Sequence, residues 1–161
     1  MRKISALLLA AFFATSYSNA QQPVNIHGPA KVVYAEIGGP GLLSINYDMS
    51  PTNANDGFGF RAGFGGWSLK DSKLVLVPLG INYITSKNER DFFEAGAGAT
   101  IVSNSNKDAS GAFRRSFGFL NLGYRKQPAE GGYFFKVNLV PVFGNGFFWP
   151  YYAGVGFGYA F

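Results

Sequence analysis

Gly57-Phe58-Gly59-Phe60-Arg61-Ala62-Gly63-Phe64-Gly65 is the stretch whose reading decides the fold. Phe58, Phe60, Ala62 and Phe64 alternate with Gly59, Arg61, Gly63 and Gly65, which is the two-residue period of a β-strand. The chemistry of the second face is the informative part. A strand with one face in water tends to carry Lys, Glu, Thr and Ser there, whereas this one carries glycine and a single arginine. Glycine weakens an ordinary strand, so its repetition on one face needs a cause. The inside of a narrow barrel supplies one: small residues make room for a few large polar ones on neighbouring strands, and the aromatic face turns outward to lipid.

Outward from this stretch the same alternation recurs. Val33, Ala35 and Ile37 oppose Tyr34, Glu36 and Gly38; Leu43, Ile45, Tyr47 and Met49 oppose Ser44, Asn46 and Asp48. Val77, Leu79, Ile81 and Tyr83 oppose Pro78, Gly80 and Asn82. Phe93, Ala95, Ala97, Ala99 and Ile101 oppose Glu94, Gly96, Gly98 and Thr100. Phe135, Val137 and Leu139 oppose Phe134, Lys136 and Asn138. Ala153, Val155, Phe157, Tyr159 and Phe161 oppose Gly154, Gly156, Gly158 and Ala160. In 113–125, Leu120, Leu122 and Tyr124 oppose Asn121, Gly123 and Arg125, while Phe117 and Phe119 are read as out of phase, which places a bulge there. Gly, Pro, Asn and Asp clusters separate the runs, at Gly38–Gly41, Ser50–Asp56, Lys70–Ser72, Ser86–Glu89, Asn104–Gly111, Gln127–Gly132 and Gly144–Gly146. Residues 31–49 read as one bent strand or as two; with two, the expectation is an eight-stranded antiparallel up-and-down transmembrane β-barrel over residues 31–161. Its outward loops would be 38–41, 66–73, 103–112 and 144–149, with both termini on the periplasmic side.

The opening residues predict export. Arg2 and Lys3 precede an apolar run from Ile4 to Ala14, and Ser18-Asn19-Ala20 supplies small residues at a cleavage site, so residues 1–20 read as a signal peptide. The run is too short for a spanning helix, and no Cys follows it to carry a lipid. Residues 21–30 read as an N-terminal periplasmic segment. Removing Arg2 and Lys3 lowers the formal charge from +5 to +3; with no Lys/Arg block, no nucleic-acid partner is expected. The chain has no cysteine, so a closed hydrogen-bond network, a large core or lipid must replace the disulfides of small secreted domains. Past residue 20 no apolar run is long enough for a transmembrane helix.

Tyr34-Ala35-Glu36-Ile37-Gly38-Gly39-Pro40-Gly41-Leu42-Leu43-Ser44-Ile45-Asn46-Tyr47-Asp48 resembles the opening of small outer-membrane β-barrel proteins of Bacteroidetes-type bacteria. Pro78–Tyr83, Glu94–Gly98 and Gly123-Tyr124-Arg125 carry the same resemblance, which covers most of 33–161. Lys136 departs from it, since arginine is the commoner residue there. Tyr159-Ala160-Phe161 is similar to the aromatic signal that hands barrels to the outer-membrane assembly machinery. The resemblance implies an outer-membrane location and a barrel fold, and brings no established activity.

Several constellations remain for chemistry. Glu36, Arg61, Glu94, Arg125 and Lys136 are expected inside the barrel, with Asn46, Asn82, Asn121 and Asn138 bridging them, because charges in a side-chain-filled lumen must be paired. Arg61 and Glu94 stand on strands that are not adjacent, so contact between them would cross the lumen. Trp67, Trp149, Tyr151 and Tyr152 are read as an interfacial aromatic girdle. Lys107, Arg114 and Arg115 are candidates for contact with lipid phosphates. His27, the single histidine, precedes the first strand, far from the rim where a lipid-modifying enzyme would need a base. Without cysteine or a second histidine, neither a metal site nor any cofactor is expected. The reading is a monomeric, non-enzymatic outer-membrane barrel with a structural or loop-binding role, whose partners are outer-membrane lipid and the assembly machinery. The alternatives are a lipid-modifying outer-membrane enzyme, a narrow pore, and a soluble lipocalin-like barrel; the last inverts the two faces.

Overall fold

In the computed structural model, residues 31–51, 57–69, 72–86, 90–104 and 113–161 are described, except the side chains of 67–69, 72, 86 and 104. The readings of residues 1–30, His27 included, and of Lys107 fall outside them. The strands are β1 (Lys31–Gly38), β2 (Leu43–Met49), β3 (Gly57–Leu69), β4 (Ser72–Ser86), β5 (Asp91–Asn104), β6 (Phe117–Lys126), β7 (Gly132–Leu139), β8 (Val142–Gly144), β9 (Phe147–Trp149) and β10 (Ala153–Ala160). Every pairing is antiparallel, and β1 pairs with β10 to close the ring. β7 and β8 keep one register against β6, so together they make one barrel strand, and β9 with β10 makes its neighbour. The fold is therefore a closed eight-stranded antiparallel barrel. Residues 31–49 form two strands.

Closure leaves no long unpaired edge. Lys31 and Phe161 exchange backbone hydrogen bonds of 3.2 and 2.9 Å, which extends the β1–β10 seam to its end. Pro78 has no N–H to give. The β3–β4 ladder accordingly skips from the Ala62–Leu79 pair to the Gly65–Leu76 pair, while Pro78 still pairs with Thr100 of β5.

The long hairpin arms differ from the expected loops. β3 and β4 run on to Leu69 and Ser72, and their last register pair joins those two residues, so most of 66–73 is strand. The 144–149 region is the β8–β9 hairpin, turned at Gly144–Phe147, where Gly146 has φ 83°. Phe117 and Phe119 lie in phase with Asn121 and Arg125 on the inner face, all four buried, so β6 has no bulge. The bulge is elsewhere: Val140 and Pro141 face the three residues Pro150-Tyr151-Tyr152, and the Val140 N–H donates to the Tyr152 carbonyl at 2.6 Å.

The β1–β2 connection was expected as an outward loop and instead folds into the barrel mouth. Gly39-Pro40-Gly41 forms one buried 3-10 turn, held across the lumen by the Thr100 hydroxyl, which donates to the Pro40 carbonyl at 3.0 Å. Gly39, at φ 65°, passes so close to the Glu36 carboxylate that a Cβ would sit 2.6 Å from its carbon. Leu42 leaves the turn at φ 61°, a conformation costly for a side chain with a Cβ.

Side chains on the two faces sort as a membrane barrel would sort them. Ile37, Ile45, Phe58, Phe64 and Phe93 point outward, 64 to 72% exposed, while Glu36 and Lys136 point inward at 0% and Arg125 at 1%. This is the opposite of the lipocalin arrangement. Along the axis the interior is layered. Near the termini Val32, Tyr34, Phe134 and Ala160 cluster; a polar layer follows, then the 39–41 turn. At the far end Leu74, Leu76, Phe117, Phe119, Val140 and Val142 form an apolar cap.

Candidate functional site

Two assemblies of polar or aromatic side chains stand out from this frame: the lumen network and the far rim. The lumen network is built by the inward positions of six barrel strands. Arg61 on β3 pairs with Glu36 on β1 through its Nη2. Its Nη2 and Nε also donate to the Asn46 Oδ1 of β2 at 3.1 and 3.3 Å. The Asn46 amide in turn donates to the Ser44 hydroxyl at 2.9 Å. On the opposite wall Glu94 of β5 accepts from Lys136 Nζ at 2.7 Å, Arg125 Nη1 at 3.1 Å and Asn121 Nδ2 at 2.5 Å. Asn138 donates to Asn121 at 2.8 Å.

Arg61 and Glu94, the pair that would have met across the lumen, bind different partners. The two halves meet through residues outside the expected set. Asp48 accepts from Arg125 at 3.3 Å and from the Tyr34 hydroxyl at 3.2 Å. The Arg61 guanidinium lies 5.4 Å and the Lys136 ammonium 5.7 Å from the Tyr34 ring centre, and Arg125 lies 4.7 Å from that of Phe134. These distances suit cation–π attraction. Asp48 could have been found by charge balance. The five expected ions comprise three cations and two anions, and Asp48, on the same inward phase, makes the layer neutral.

Asn82 does not act as a bridge. It is buried, but neither of its side-chain polar atoms has a hydrogen-bond partner among the described residues. Each acid of the layer accepts from a cation, and the hydroxyl that one of them meets is the buried Tyr34 phenol, which donates to Asp48. Among the described residues no group of His, Cys, Asp and Glu could hold a metal ion.

At the far rim Phe113 is the hub of an aromatic group. Its ring centre lies 5.2 Å from Phe117, 5.4 Å from Trp149, 5.3 Å from Tyr152 and 6.4 Å from Phe147. Trp149 is 48% and Tyr151 89% exposed, and with Pro150 and Tyr152 they line an open recess of about 410 Å³. Trp67 stands opposite Leu74 in β3, and its side chain is outside those described. Arg114 and Arg115 follow Phe113 in the turn entering β6, half-buried and exposed respectively. Tyr159 and Phe161 sit outward at the terminal end, 52 and 58% exposed.

No protein-family model and no curated protein sequence matches the chain. Among solved structures it is similar to the N-terminal β-barrel domain of Pseudomonas aeruginosa OprF, with a TM-score of 0.54. The two are 16% identical over 84% of this chain and 98% of that domain. At that identity the likeness is one of fold, a closed antiparallel β-barrel.

Proposed function

We propose that this chain is an integral outer-membrane protein that spans the bilayer with its eight strands and serves a non-enzymatic structural or loop-binding role. The observation that carries this reading is the inverted distribution of side chains: a neutral ionic layer sealed inside, and Phe, Ile, Leu, Val and Tyr exposed around the outer wall. In water such a wall would far exceed the apolar patches that soluble monomers expose. In hydrocarbon it is the expected surface, with the barrel strands paired around a closed ring. The resemblance to small outer-membrane barrels of Bacteroidetes-type bacteria and the fold shared with the OprF domain point the same way.

The filled lumen favours a plug over a pore, and the unactivated acids favour a scaffold over a lipid-modifying enzyme. The assembly machinery and bilayer lipid are its partners on this reading, and Tyr159 and Phe161 supply the assembly signal. The test is cell fractionation combined with gel mobility before and after boiling. The expected result is recovery in outer-membrane detergent extracts and a band that shifts on heating. Recovery as a water-soluble monomer would overturn the reading.

A further inference from the structure

The formal charges of the described residues are distributed unevenly along the barrel axis. Three acids and three bases lie in the lumen. At the end holding the termini the described charged residues are Lys31, Arg90 and Lys126 against Asp91 and Glu130. At the far end they are Lys73, Arg114 and Arg115, with no acid among the described residues. Among the described residues the far rim is therefore the more positive, +3 against +1, and it is the rim that carries the aromatic recess.

We infer that this rim binds the phosphorylated sugar headgroup of an outer-leaflet glycolipid, a proposal that rests on the membrane reading above. Among the described residues neither Arg114 nor Arg115 has an ion-pair partner. Guanidinium groups grip phosphate oxygens bidentately. Beside them, Phe113 buttresses Trp149 and Tyr152. The Pro150–Tyr152 bulge, required because two residues of the neighbouring strand face three here, swings Tyr151 fully out. Exposed, rigid aromatic rings with a polar tip suit a ligand that has both apolar ring faces and hydroxyls, as a sugar does. A bare interfacial girdle would explain the aromatic rings but not the one-sided charge, and a free anion site would not need the rings.

The full chain is folded into detergent micelles and its closure checked by heat-modifiable mobility. Lipid A, dephosphorylated lipid A and inorganic phosphate are then offered separately, and retention is read by native mass spectrometry. Lipid A is expected to stay bound, the dephosphorylated lipid to bind roughly tenfold or more weakly, and phosphate alone not to be retained. Arg114→Ala/Arg115→Ala should weaken lipid A by a similar factor. Tyr151→Ala, which removes a ring with no packing role, should weaken it as well, while Lys126→Ala at the opposite end should not. Equal retention of both lipids, unchanged retention by the double arginine variant, or phosphate held as tightly as lipid A would overturn the site while leaving the barrel standing. Absence of a heat-modifiable band would overturn the membrane reading and this inference with it.

Discussion

Glu94 accepts from Lys136, Arg125 and Asn121 at once, and all four residues are buried. Burying ions costs several kcal/mol each, and only the mutual attraction offsets it. Removing the negative charge alone leaves Lys136 without an acid and Arg125 with Asp48 alone, so Glu94→Gln should destabilise the barrel by about 3–5 kcal/mol. Urea unfolding in micelles measures this. Glu94→Gln combined with Lys136→Met removes one charge of each sign and should cost less than the sum of the two single changes, because the two groups are in contact. A second residue with a sharp expectation is Gly38. It holds φ 76°, and a Cβ there would lie 2.3 Å from the Ala153 carbonyl oxygen. Gly38→Ala should therefore cost about 1–3 kcal/mol, measured by the same unfolding curve, with the mouth turn loosened.

Among the elements, the β5–β6 pairing shows how glycine is compensated. Gly98 is the register partner of Phe119, and a Cβ on it would fall 2.5 Å from the tip of the Phe119 ring and 2.2 Å from the Leu79 carbonyl. The ring lies where that side chain would be, covering the glycine. Gly98→Val has no space on either side, and the folded, heat-modifiable fraction should fall steeply in a refolding assay. The same pair explains what alternation could and could not reveal. Where the inner face is Gly, Asn, Arg or Glu, it differs from the outer face and the strand reads itself, as β3, β4 and β10 did. Near the mouth both faces are apolar, so Phe117 and Phe119 carried no mark of which way they point and were assigned to a bulge. The true bulge at Pro150–Tyr152 was hidden for a related reason: three residues facing two is a property of a pairing, which one strand's sequence does not contain. The inward fold of Gly39-Pro40-Gly41 was equally illegible, because its anchor, Thr100, lies sixty residues away in the chain.

For the whole molecule, the outer wall governs behaviour. Leu79 lies near the middle of β4, outward and 44% exposed. Leu79→Arg should destabilise the barrel in lipid vesicles by about 2–4 kcal/mol, the depth-dependent cost of a cation at a bilayer midplane, as read from urea titrations. A water-soluble barrel would tolerate the same surface change within about 0.5 kcal/mol. The ionic layer, the mouth turn and the apolar cap stand one above another, so planar bilayers loaded with the protein should stay electrically silent; steady single-channel steps would contradict the plugged lumen.

The seam between β1 and β10 joins the two strands farthest apart along the chain. Until the last strand has been synthesised, β1 has one bare edge and the sheet cannot become a ring. Contacts of such long range also form slowly. During that interval the growing polypeptide offers both an open strand edge and a greasy surface, the two features most prone to sticking to other chains. A protein of this design is therefore most open to aggregation before its ring closes, and the moment of closure is set by β10.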